Sequence, residues 1–156
     1  ELIQQLNLTF EPGLHHQDIP WTTEFMLNVQ RVRYTDQVLY RYYMHDASIS
    51  NRKRTGQRNV EYQRHYLKIA QMLEEINARY RDKVKIFPAF HYQITREALS
   101  VCHSIRREPE AQARQAMIAD LFATHTHRRM LRNARGARQW YQLLLWLSRI
   151  YRWRKK

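Results

Sequence analysis

The chain has 156 residues and sets 27 Lys and Arg against 14 Asp and Glu, a formal net charge of +13. That length fits one domain able to bury its own core, and three glycines with four prolines argue against a loop-rich or all-β protein. A single cysteine excludes an internal disulfide framework and fits a cytosolic setting, while the longest apolar run, Leu143 to Leu147, is far short of the roughly 20 residues a membrane span requires.

From the amino terminus, Pro12-Gly13 marks a turn, and Pro20 suits the first turn of a helix expected from Trp21 to Asn28. His15-His16-Gln17-Asp18 therefore falls on a loop between ordered elements, where reactive groups concentrate. Asp18 has two readings. It is a cap or first-turn acid of the helix, or a carboxylate that takes a proton from a substrate hydroxyl. The paired histidines read as polar loop residues, since adjacent rings diverge and no third ligand stands at a zinc-site spacing. Val32 to Tyr34 and Val38 to Met44 are rich in β-branched and aromatic residues, which predicts a short strand pair, or one bent strand, turning at Thr35-Asp36-Gln37. Such strands would present edge groups in need of a partner, and pairing between copies of the chain is one way to satisfy them. Asn51 to Asn59 reads as a polar linker.

Helical spacing takes over beyond it. Tyr62, Tyr66, Ile69, Leu73, Ile76 and Tyr80 predict an amphipathic helix from Gln57 to Tyr80, with a core-facing stripe. A second helix is expected from Pro88 to Arg107, carrying Cys102 as a buried thiol. Glu108-Pro109 ends it, and a third runs from Pro109 to His125 with small residues that allow close packing. His125-Thr126-His127 carries no metal on this reading, because side chains two apart diverge; both are expected at the surface. Residues 127–156 contain ten Lys or Arg and no acid. Within them Trp140, Leu143, Leu144, Leu147, Ile150 and Tyr151 share a helical face. That pattern suits an interfacial anchor, with Arg138, Trp140, Trp146, Arg149, Arg152 and Trp153 toward an anionic membrane or glycolipid. It equally suits a last bundle helix with a solvated basic face. The fold expected is mainly α, a bundle of four to five helices with a short β-strand pair near the amino terminus. Charge divides unevenly: residues 1–46 hold six acids and three cations, net −3, and residues 47–156 hold eight acids and 24 cations, net +16. The positive field favours anionic partners.

The order of features from Phe10 to Ser50 resembles the carboxyl-terminal part of inverting family 2 glycosyltransferases of the GT-A type. There an acidic loop motif precedes a helix, a short strand, a Tyr-rich strand and a Ser-x-Ser turn. Gly13 to Asp18, Tyr62 to Tyr66 and Val101 to His103 also resemble segments of the enterobacterial lipopolysaccharide-core glucuronic-acid transferases. The resemblance implies that Asp18 is the catalytic base, with Gln17 standing where a first acid is usual. It implies that His15, His16, Gln17 and Trp21 bind the acceptor and that His45, Ser48 and Ser50 lie near the donor diphosphate. The implied donor is a UDP-sugar, UDP-glucuronate, and the implied acceptor an inner-core heptose of phosphorylated lipopolysaccharide, at the inner face of the bacterial inner membrane. A divalent Mg or Mn ion is expected in the full-length enzyme, bound outside this chain, which has no Asp-x-Asp. Position 1 is Glu rather than Met, so a carboxyl-terminal fragment, inactive alone, is expected: residues 1–50 the end of the catalytic domain and 51–156 a basic helical domain. The competing readings are a nucleic-acid-binding or a membrane-surface module. Nucleic acid is the weaker, opposed by the acidic front end and the absence of any reading motif.

Overall fold

The computed structural model describes residues 1–43 and 53–154. Among them are eight helices and no strand: α1 (Leu2–Gln5), α2 (Asp18–Asn28), α3 (Gly56–Arg79), α4 (Arg81–Ile86), α5 (Ala89–Arg107), α6 (Ala111–Ala123), α7 (Thr126–Asn133) and α8 (Ala137–Arg154). α3 and α5 pack along each other, α6, α7 and α8 close around them, and α2 lies against α3. Apolar residues recurring every three or four positions make this possible. Ile69 and Leu73 of α3, Ile94 and Ile105 of α5, Met117 and Leu121 of α6, Met130 of α7, and Leu143 and Ile150 of α8 are all fully buried. Cys102 is in the same core, and burial pushes its thiol up to about 12.

Helix ends follow local chemistry. Pro88 caps α5, where its missing N–H costs nothing. Glu108 is extended, as a residue before proline must be. His125, at φ +56°, separates α6 from α7, and Gly136, at φ +74°, precedes α8. At the start of α3, Gly56 (φ +62°) meets the buried carboxylate of Glu108. Its Oε1 accepts from the Gly56 N–H at 3.1 Å and the Glu110 N–H at 3.2 Å, and its Oε2 accepts from the Asn59 amide at 2.6 Å. Burial alone would raise this carboxyl's pKa, but those three donors and Arg114 outweigh it and hold it below the usual value.

Three expectations need correction. The strand pair is absent among the described residues: residues 32–43 form no ladder, because a strand needs a partner edge and none of the described residues offers one. Met44 lies outside the described residues. Among the described residues helices number eight rather than four to five, because α1 and α4 are short pieces and α7 is split from α8. The linker read as Asn51 to Asn59 already turns helical at Gly56, where the Glu108 carboxylate supplies the cap that Thr55 does not.

Candidate functional site

The loop before α2 is held from below by both apolar and polar contacts. Leu14 is buried in the bundle core and Ile19 packs against it. Gly13 (φ +76°) and His16 (φ +58°) take left-handed conformations that turn the chain tightly over α3. His16 Nε2 lies 2.5 Å from the Tyr62 hydroxyl and 3.1 Å from that of Tyr66. The His15 backbone N–H donates to His65 Nδ1 at 3.3 Å, which leaves a neutral His65 with its proton on Nε2. The His15 and His65 rings sit 4.6 Å apart, and the Arg54 guanidinium lies 3.9 Å over the Tyr62 ring.

Two imidazoles of this pad, His16 and His65, are held toward their neutral forms. Burial lowers the His16 pKa, with Asp18 pulling the other way and His15 assisting the fall. Burial likewise lowers His65, helped by the nearby His15 and His16. Tyr66 is raised by burial and by its hydrogen bond with Tyr62.

Asp18 is the first residue of α2 and is exposed. It meets the first-turn reading in position, yet its carboxylate accepts no hydrogen bond among the described residues. It borders a groove of about 290 Å³ lined also by Ile19, Thr22, Thr23, Met26, Phe90 and Gln93. Trp21 stacks between Phe10 (5.3 Å) and Phe25 (5.4 Å). It also lines a second cleft of about 210 Å³ with Gln17, Glu24 and Arg79. Glu24 fixes α2 to α3, accepting from Arg79 at 2.5 Å and from the Tyr80 hydroxyl at 2.9 Å.

His15, His16, Gln17, Asp18 and Trp21 are thus gathered at one loop and helix start, whereas His45, Ser48 and Ser50 lie outside the described residues. His16 is directed at the tyrosines of α3. Tyr62 and Tyr66 escape a sequence reading because they continue an apolar stripe. The clue to them is that both are aromatics with polar tips, flanking His65 within five residues. No group of three or more His, Cys, Asp or Glu able to hold a metal occurs among the described residues. His16 Nε2 and His65 Nδ1 are already engaged in hydrogen bonds, so the histidine cluster does not fit a divalent ion.

The tail divides differently from the expected face. Leu143, Leu147 and Ile150 are buried, and Trp146, 4 % exposed, packs edge-on to His103. Intramolecular packing consumes most of the apolar area that a membrane anchor would use. Trp153 is half-buried and its carbonyl accepts from Gln115. Trp140, Tyr141, Leu144 and Tyr151 remain exposed, with Arg138 and Arg152 beside them in sequence. His127, expected at the surface, is buried with its ring 4.5 Å from that of Phe122; the turn at His125 directs it inward.

Comparison with known proteins adds the family. Residues 55–156 match the family described as the glycosyltransferase YibD, C-terminal domain. The whole chain is 51 % identical over 156 residues to the uncharacterized glycosyltransferase YibD of Escherichia coli (strain K12), covering 100 % of this chain and 45 % of that protein. The chain therefore spans less than half the length of this relative. No solved structure matches it.

Proposed function

This chain belongs to the family of the YibD glycosyltransferase C-terminal domain, and from that premise we propose that it supplies the acceptor side and the general base of an inverting sugar transferase. The observation that supports this most is Asp18, an exposed carboxylate without a hydrogen-bond partner among the described residues, at the end of a loop locked to α3 through His16, Tyr62 and Tyr66. In the proposed reaction the Asp18 carboxylate takes the proton of an acceptor hydroxyl. The acceptor oxygen bonds to the anomeric carbon, and the bond from that carbon to the nucleotide diphosphate breaks with its electron pair on the leaving group. The donor is UDP-glucuronate and the acceptor a heptose of phosphorylated lipopolysaccharide core.

His15 and Gln17 flank the acceptor, and the Trp21 stack offers an aromatic edge to a sugar ring. His16 serves as a positioning residue, since its imidazole is occupied by the two tyrosines. His45, Ser48 and Ser50 are assigned to the donor side. A bound Mg or Mn ion would neutralise the diphosphate leaving group from outside these residues. The remainder of the full-length protein supplies the donor site and a sheet edge against which residues 32–43 pair, so residues 1–50 complete a catalytic domain and 51–156 form the helical one. No helix among the described residues is long and apolar enough to cross a membrane. The exposed Trp140, Tyr141, Leu144 and Tyr151, with Arg138 and Arg152, instead rest on an anionic membrane surface.

The test is Asp18→Asn in the full-length enzyme. Turnover should fall by a factor on the order of 10² to 10⁴, as for loss of a general base, with an unchanged helical circular-dichroism spectrum. Near-normal turnover would return Asp18 to a first-turn helix acid. Residues 1–156 alone should transfer no sugar from UDP-glucuronate, and measurable transfer would overturn the assignment of the donor site to the rest of the protein.

A further inference from the structure

The carboxyl-terminal turn of α5 and the middle of α8 bring cations together without an acid between them. Trp146 is the centre of the cluster. The Arg149 guanidinium lies 5.4 Å and that of Arg106 5.9 Å from its ring centroid, and the His103 ring lies 4.8 Å away edge-on. Arg107 follows Arg106 on the same turn. His103 is exposed at its edge but partly desolvated against Trp146, which lowers its pKa first, followed by Arg107 and Arg106, so both guanidiniums act on the same imidazole.

None of these arginines forms an ion pair among the described residues, whereas Arg64, Arg79, Arg96, Arg129 and Arg132 all do. The neighbouring acid, Glu108, is turned away into the bundle to cap α3. The helix dipole accounts for Arg106 and Arg107 at the end of α5, but not for Arg149, which arrives from α8 and adds a like charge. Cations crowded on one indole repel, and the missing counter-charge is an anion. Guanidiniums present forked donors matched to phosphoryl oxygens, and His103, Arg106 and Arg107 are exposed to receive them.

We infer that His103, Arg106 and Arg149, gathered on Trp146, form with Arg107, next to Arg106 in the chain, a binding site for a phosphoryl group. The inference does not depend on Asp18 or on sugar transfer. The phosphoryl group has two sources, a soluble phosphorylated sugar or the head group of an anionic lipid, and both present the same oxygens.

The experiment titrates the full-length protein with inorganic pyrophosphate in metal-free buffer by calorimetry at fixed ionic strength. A second arm measures co-sedimentation with phosphatidylglycerol vesicles. The double variant Arg106→Gln with Arg149→Gln should weaken binding by roughly tenfold or more, as expected for loss of two charge-assisted contacts. A charge-matched control, Arg58→Gln with Arg81→Gln on exposed helix surface, should leave it within about twofold, the change expected from screened long-range charge alone. Trp146→Phe, which keeps an aromatic platform, should retain binding. A loss confined to pyrophosphate identifies the soluble source, and a loss in both arms identifies the lipid. Equal losses in the two double variants, or no saturable pyrophosphate binding by the unaltered protein, would overturn the site.

Discussion

The loop that leads into Asp18 and the segment that follows α2 both carry apolar and aromatic side chains, but only one of them has a surface to rest on. Leu14 and Ile19 reach the core and His16 bonds to two tyrosines of α3. Residues 32–43 instead leave Tyr34 93 % and Val38 88 % exposed. Composition sets what a segment is able to pair with. Structure follows only where a neighbour supplies the missing donors, acceptors or apolar area.

The contrast is most directly broken by paired truncations. Leu73→Ala, at a fully buried position, should lower stability by about 2–5 kcal/mol in urea unfolding. Leu39→Ala, in the exposed segment, should change it by less than about 0.5 kcal/mol. Comparable losses would mean that residues 32–43 are packed after all. A smaller effect is expected where the bundle receives the chain. Glu108→Ala leaves the amides of Gly56, Glu110 and Asn59 without their acceptor and should cost about 1–3 kcal/mol; an unchanged urea midpoint would remove that carboxylate from any structural role.

Tyr66→Phe and Tyr62→Phe sharpen the loop's side of the comparison. Each removes one hydroxyl from His16 and should cost about 0.5–1.5 kcal/mol. Amide exchange should quicken at Leu14 and Ile19 but not at Leu73, and uniform quickening would show that the tyrosines serve the whole bundle.

The mildest test is pH. His16, His65, His103 and His127 are all lowered from 6.5, with burial the first cause in each. As pH falls the unfolded chain takes up these protons first, so the stability they contribute is complete above 6.5 and declines below it. Glu108 is lowered from 4.5, so its contribution is complete above that value and is lost beneath it. Urea midpoints should hold above pH 6.5, fall below it, and fall again under 4.5. A flat profile across the first window would contradict the neutral histidine pad under Asp18.

Much of the bundle is legible in the sequence. Pro88 and Pro109 bracket α5, and Ile94, Leu99 and Ile105 give it a period. The strands fail because propensity at Val32 and Val38 describes half of a pair. The loop is legible as a loop, since Pro12-Gly13 and Pro20 frame it, and the gathering of His15, Gln17, Asp18 and Trp21 follows from their adjacency. The inward turn of His16 is not legible. It depends on a left-handed backbone at a non-glycine residue and on tyrosines about fifty positions away. On α8 the apolar residues span more than one face, so periodicity alone could not decide that Leu143, Trp146 and Ile150 turn inward while Leu144 and Tyr151 face solvent.

Gly56 gives the molecule a defined cut point. A side chain there would be strained by the φ of +62°, although the nearby Glu110 carboxylate could swing aside. The family match begins one residue earlier, at 55. A chimera joined ahead of Thr55, with Gly56 and Glu108 retained, would carry its own helix-start signal into any new front end. A junction placed one turn later would discard that signal and leave the first turn of α3 without its Glu108 cap.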